Sequence, residues 1–197
     1  MPLSPAEPRE HLHTRQVECR GYRRGDGLWD IEGHITDVKT TGFDNEYRGR
    51  IEPGMAIHDM WMRLTLDDAL TIRAVEVCTD DSPFAICPGA APNYQKLVGL
   101  SIRPGFTRKT RALLGGAKGC THLTELLGPV ATTAFQTIFP VLAREREEMK
   151  AVAGDGPVTT ANPGKPEKPV LLNSCHAFAS DGPLVKKRWP DFYTGDV

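Results

Sequence analysis

The sequence predicts an α+β domain: an antiparallel β-meander with a kinked long helix packed on one face, plus short helices. Three observations carry that reading. Residues 28–38 (LWDIEGHITDV) and 56–66 (AIHDMWMRLTL) alternate apolar and polar side chains with the period of two that a half-buried strand requires. Asp67 and Asp68 turn the second stretch into residues 70–79 (LTIRAVEVCT), which completes a hairpin. Residues 119–140 then change period. Leu123, Leu126, Leu127, Val130, Ala134 and Ile138 share one stripe of a 3.6-residue helix.

Taken in chain order, residues 1–13 hold three prolines and no apolar run, and read as a loose tail. The strand at 28–38 places Trp29, Ile31 and Ile35 on one face and Asp30, Glu32, His34 and Thr36 on the other. The strand at 56–66 sets His58, Met60, Met62, Leu64 and Leu66 against Asp59, Trp61, Arg63 and Thr65. Three or four such strands make an ordinary sheet. A Pro/Gly-rich loop follows from residue 80, with a short helix over 93–100. A second helix covers 107–114, with Thr107 as its cap and Gly115-Gly116 as its stop. Gly128-Pro129 is expected to kink the long helix. Residues 153–169 (AGDGPVTTANPGKPEKP) have the composition of a flexible linker, and the segment beyond them is expected to fold back onto a single domain spanning 14–197.

Composition removes several classes of function. A net charge of -1 gives no electrostatic reason to bind nucleic acid or an anionic membrane, and Lys186, Lys187 and Arg188 read as a solvated helix end. Five cysteines, an odd number without a CxxC pair, do not form a secreted disulfide framework. The chain is therefore expected in the cytoplasm with a small-molecule substrate as partner; a homo-oligomer is compatible with the sequence. No P-loop, GxGxxG, GxSxG or HExxH motif is present.

The polar stripe of the long helix carries the chemistry. His122, Glu125, Thr132, Thr133 and Gln136 follow one another there, and Glu125 is the one charge between Gly119 and Ala143. A solvated stripe usually carries several Lys, Arg and Glu, so this one suits a pocket wall. The polar sheet face supplies Asp30, Glu32, His34, Asp59, Trp61, Arg63 and Glu76. A carboxylate beside an imidazole orients the ring and tunes it as a base. Arg63 can hold an anion and Trp61 can stack on a ring. If helix and sheet face enclose one pocket, Glu32, His34, Asp59, His122 and Glu125 form the catalytic set, with Trp61, Arg63, Thr132 and Gln136 binding substrate. The expected activity is that of a lyase or related acid–base enzyme acting by proton abstraction and elimination on an aromatic or carbonyl compound. The plainer reading of the same strands is a wet sheet face with cross-strand ion pairs.

Three alternatives compete. Cys120, His122, Cys175 and His176, with His34, His58 and Asp59 nearby in composition, offer ligands for zinc or iron, although CxH beside CH is not a usual zinc spacing. Cys120 at a helix N-terminus could instead be a nucleophile served by His122 or His176. A non-catalytic accessory protein using the same pocket for recognition is the third reading. Outside the metal reading no cofactor is implied.

Four ordered motifs, RRGDGLWDIEGHITD (residues 23–37), IHDMWMRLT (57–65), GCTHLTELLGPVATTAFQT (119–137) and LNSCHAFASDGPLVKKRWP (172–190), resemble an uncharacterised bacterial family, the domain of unknown function numbered 2889. The resemblance extends from Tyr22 to about Gly195. It implies no activity by itself, only a context among companions of aromatic-compound catabolism.

Overall fold

The computed structural model describes residues 4–153, 168–169 and 171–195, so most of the 153–169 linker lies outside the described residues. By internal contacts the chain groups into two compact units, 1–152 and 153–197.

In the first unit, β1 (His13–Arg23), β2 (Trp29–Lys39), β5 (Ala56–Leu66) and β6 (Ile72–Asp81) form a four-stranded antiparallel sheet in the order β1-β2-β5-β6. β3 (Phe43–Asn45) and β4 (Gly49–Ile51) form a small separate hairpin between β2 and β5. The β5–β6 turn follows its sequence. Asp67 Oδ1 accepts the backbone N–H groups of Ala69 and Thr71, at 3.0 and 2.8 Å, and Leu70 takes the left-handed conformation between them.

Register decides which side chains meet. Ile35 lies opposite Met60, Gly33 opposite Met62 and Ile31 opposite Leu64. These residues point to one face, and the long helix α2 (Thr121–Ala153) lies on it. Two glycines let it approach closely. A Cβ on Gly33 would stand 2.5 Å from Val130 Cγ2, and one on Gly21 would stand 2.0 Å from Thr137 Oγ1. The apolar stripe Leu123, Leu126, Leu127, Val130, Ala134 and Ile138 is buried. Each large aliphatic in it contributes about 1.5–3 kcal/mol to folding.

Residues 121–149 are long and apolar enough to cross a membrane by length and composition; 28% of the most apolar window is buried, with its aliphatic stripe against the sheet. The helix continues through Pro129 and Pro140. Both prolines, with Glu125 and Gln136, whose carbonyls they deprive of a helical donor, sit on its exposed side, where water can serve instead.

Helix α1 (Phe106–Leu114) is capped by Gly105 in the left-handed conformation rather than by Thr107. Residues Cys87–Leu97 form an extended 3-10 segment in place of the short helix expected at 93–100. That segment buries Tyr94, whose hydroxyl donates to the Cys120 carbonyl at 2.9 Å, accepts the Cys120 N–H at 3.2 Å and meets Thr124 Oγ1 at 2.8 Å. One phenol thus fixes the start of α2.

The second unit contains a 3-10 turn (His176–Phe178), helix α3 (Pro183–Arg188) and a further turn (Pro190–Phe192). Asn173, in the left-handed conformation, accepts the Ser180 N–H at 2.8 Å, and the Phe178 and Trp189 rings lie 5.4 Å apart.

Candidate functional site

Two residues break the apolar rule on the helix-covered face. Asp37 ends the buried series of β2 begun by Trp29, Ile31 and Ile35, and His58 opens that of β5 ahead of Met60 and Met62. The β2–β5 register sets them directly opposite one another. Asp37 is 1% exposed. A carboxylate so placed needs partners, and it has five nitrogens. Arg15, opposite Asp37 in the β1–β2 register, clamps it with Nε at 2.8 Å from Oδ1 and Nη2 at 2.9 Å from Oδ2. His13 Nε2 lies 3.0 Å from Oδ1. His58 Nδ1 lies 3.1 Å and His122 Nε2 3.5 Å from Oδ2. The His58 and His122 rings stack with centroids 3.7 Å apart. The other nitrogen of His122 lies 3.8 Å from Cys120 Sγ, and Arg15 also reaches Glu125.

These charges tune each other. Burial pushes the Asp37 carboxyl up, but the hydrogen bonds and charge of Arg15, joined by His13 and His58, outweigh it and hold the carboxyl down at about 2. Burial lowers His58, and the neighbouring His122 adds to that against the pull of Asp37. Burial and then Arg15 lower His122, opposed by Asp37 and Glu125.

His58 and His122 open onto a groove of about 500 Å³. Its remaining walls are Met60, Pro83, Phe84, Ile86, Cys87, Ala90, Asn93, Cys120 and neighbouring small residues, with no Lys, Arg, Asp or Glu among them. Phe84 and Ile86, 61% and 84% exposed, stand at its rim. The site is thus a polar floor under apolar walls, the usual composition of a small-molecule pocket.

The five residues expected to form one pocket do not meet. Because Gly33 faces α2, Glu32 and His34 point to the opposite face of the sheet, with Asp59 beside them. There His34 Nε2 lies 2.7 Å from Asp59 Oδ1 and its ring stacks on Trp61 at 3.7 Å. Arg63 bridges Glu32 and Glu76 at 2.9 and 2.8 Å. This face carries a shallow hollow of about 240 Å³ and matches the wet face with cross-strand ion pairs. Trp61 and Arg63 therefore stand away from His122. Glu125 touches the cluster through Arg15 but lines a different hollow, with Phe106 and Thr110 of α1. Thr132 and Gln136 are exposed on α2 outside the groove, and the Thr132 hydroxyl donates back to the Gly128 carbonyl at 3.1 Å, so the later part of the polar stripe is not a pocket wall. Of the metal set, Cys120 and His122 are neighbours at the groove; Cys175 and His176 belong to the second unit, where Cys175 is exposed.

Asp37, Arg15 and His13 were missed by reasoning from the sequence, and His58 was named only as a supplementary ligand. A signal existed for two of them: Asp37 and His58 occupy apolar phases of alternating strands.

Fold and site together define an α+β protein with a buried carboxylate–imidazole–guanidinium cluster at the floor of an apolar groove. The chain belongs to the family described as "Protein of unknown function (DUF2889)", whose signature matches residues 13–136. That match holds every member of the cluster and stops short of the C-terminal motif at 172–190. No curated protein and no solved structure matches the chain.

Proposed function

We propose that this protein is a small-molecule enzyme of lyase type, acting by proton abstraction and elimination on an aromatic or carbonyl compound, with the Asp37–His58–His122 cluster as its proton-transfer centre. The observation that carries the reading is the convergence of two stacked imidazoles on one buried carboxylate at the floor of a 500 Å³ groove. Asp37 is kept ionised by Arg15 and can orient the rings. Among the described residues the groove wall carries no Lys, Arg, Asp or Glu, which favours a neutral, largely apolar substrate with one polar group directed at the floor. Phe84 and Ile86 suit a planar ring at the mouth.

The setting proposed for this protein is bacterial breakdown of aromatic compounds in a reducing cytoplasm, the latter favoured by five free cysteines.

The test is turnover of a panel of neutral phenols, aryl ketones and hydroxy-carbonyl compounds. His58→Ala and His122→Ala are expected each to lower kcat by about 10²–10⁴-fold. His34→Ala on the opposite face is expected to leave it unchanged. Full activity in both groove variants, or loss in His34→Ala alone, overturns the assignment.

A further inference from the structure

We propose that Asp37, His58 and His122 form a binding site for one divalent first-row transition ion of the zinc or iron type. The inference shares its location with the proposed active site and alters how that site would work. A bound ion would occupy the imidazole lone pairs, so the proton-accepting role would pass from the rings to an oxygen ligand of the ion. The inference does not require the lyase reading.

The geometry comes first. One ligand atom from each of the three side chains lies within 4.8 Å of the others. Imidazole and carboxylate ligands sit about 2.0–2.2 Å from zinc, so adjacent ligand atoms around a tetrahedral or octahedral ion are separated by about 3–3.5 Å. The two separations from Asp37 Oδ2, 3.1 Å to His58 Nδ1 and 3.5 Å to His122 Nε2, fall at those values. The His58 and His122 rings, stacked with centroids 3.7 Å apart, would swing apart by about 1 Å to aim both nitrogens at one ion.

The second observation concerns occupancy. Asp37 Oδ2 already accepts Arg15 Nη2 at 2.9 Å, which leaves one lone pair facing two imidazole nitrogens. At most one imidazole N–H can use that lone pair, whereas one cation between the three atoms would use it once and take a lone pair from each neutral ring. Two imidazoles and one carboxylate, with further positions open, are a ligand set that catalytic zinc and non-haem iron share.

Two further features suit an ion. Asp37 is gripped by Arg15 and approached by His13 on the far oxygen, which fixes the carboxylate as second partners fix ligands elsewhere. His58 and His122 both line the groove, so the remaining coordination positions face a space that admits a small oxygen-bearing molecule. The Arg15 charge beside the carboxylate weakens its pull on the ion, so micromolar rather than picomolar affinity is expected. The set differs from the Cys120, His122, Cys175 and His176 ligands considered from sequence and keeps only His122.

The test uses the full chain, purified without affinity nickel, stripped with chelator and titrated with cobalt(II) and with zinc(II). One equivalent of cobalt(II) with ligand-field absorption, displaced by zinc(II), is the expected result, and binding should fall at least tenfold in His58→Ala and His122→Ala while persisting in His34→Ala. Because a groove variant can misfold, X-ray absorption of the zinc-loaded wild type gives an independent reading: two imidazoles and oxygen in the first shell support the site, and sulfur there overturns it. Wild type that takes up no ion, or variants that bind as wild type does, also overturn it. Turnover surviving in metal-free protein removes the ion's catalytic role while leaving the groove as active site; ion binding without any turnover supports the ion site and counts against the lyase reading.

Discussion

Gly33→Ala tests the placement on which the site depends, because it asks which face of the sheet lies against α2. The added Cβ would stand 2.5 Å from Val130 Cγ2, 3.5 Å from Leu126 Cδ2 and 3.7 Å from Cys19 Sγ. The last two are ordinary contacts. The first is about 1 Å inside the 3.5–4.0 Å optimum for a carbon pair, so Val130 or the helix must move. Overpacking of this kind costs about 1–3 kcal/mol. In a domain of this size that lowers the melting temperature by roughly 2–4 °C per kcal/mol.

The informative partner is Val130→Ala, which alone costs stability by opening a cavity but removes the methyl that obstructs the new Cβ. Combined with Gly33→Ala it should cost less than the sum of the two singles, with a favourable coupling of about 0.5–3 kcal/mol. The assay is thermal or urea unfolding of the four members of the cycle. Simple additivity, or a Gly33→Ala protein as stable as the parent, would refute the packing of α2 on this face and with it the separation of His34 from His122.

Other expectations follow from the same contacts. Tyr94→Phe removes a buried hydroxyl that serves both Cys120 backbone groups and Thr124, and should lower stability by about 1–3 kcal/mol in urea unfolding, as for other orphaned buried partners. Asp37, held at about 2 against an ordinary 3.8, contributes about 2 kcal/mol to the ion-free protein. Since its folded pKa is depressed, that contribution is complete above pH 4 and disappears as pH falls through 2; Asp37→Asn should show a flatter acid limb, and an unchanged limb would contradict the arrangement. Arg63→Ala, which breaks exposed ion pairs to Glu32 and Glu76, should change stability by less than about 1 kcal/mol in the same assay.

Much of the fold was legible because it rests on local periodicity. The alternation at 28–38 and 56–66, the Asp67 turn and the stripe from Leu123 to Ile138 each depend on residues close in sequence. What could not be read locally was the face of the sheet the helix would choose. Polar residues on α2 suggested that it sought the polar sheet face; instead its aliphatic stripe sought the aliphatic one, and the glycines at 21 and 33, which make room for it, show their purpose only once β1 and β2 are in register. The site was partly legible in the same way. His122 drew notice as a lone imidazole near the start of an apolar helix. Asp37 and His58 were disguised as ends of strands, and His13 and Arg15 reach Asp37 only through pairing across 22–24 residues of chain.

Among the described residues, the strand that carries His13 and Arg15 is the outermost of its sheet and pairs on one side only. Edge strands detach at lower free energy than central ones. Peeling the start of β1 away would withdraw the guanidinium from Asp37 and leave the carboxylate facing the two imidazoles alone. At the ion site proposed above, the grip on a cation would therefore depend on the docking of this one edge strand. Amide exchange along residues 14–17 thus gauges, from the backbone, how firmly the groove floor is assembled.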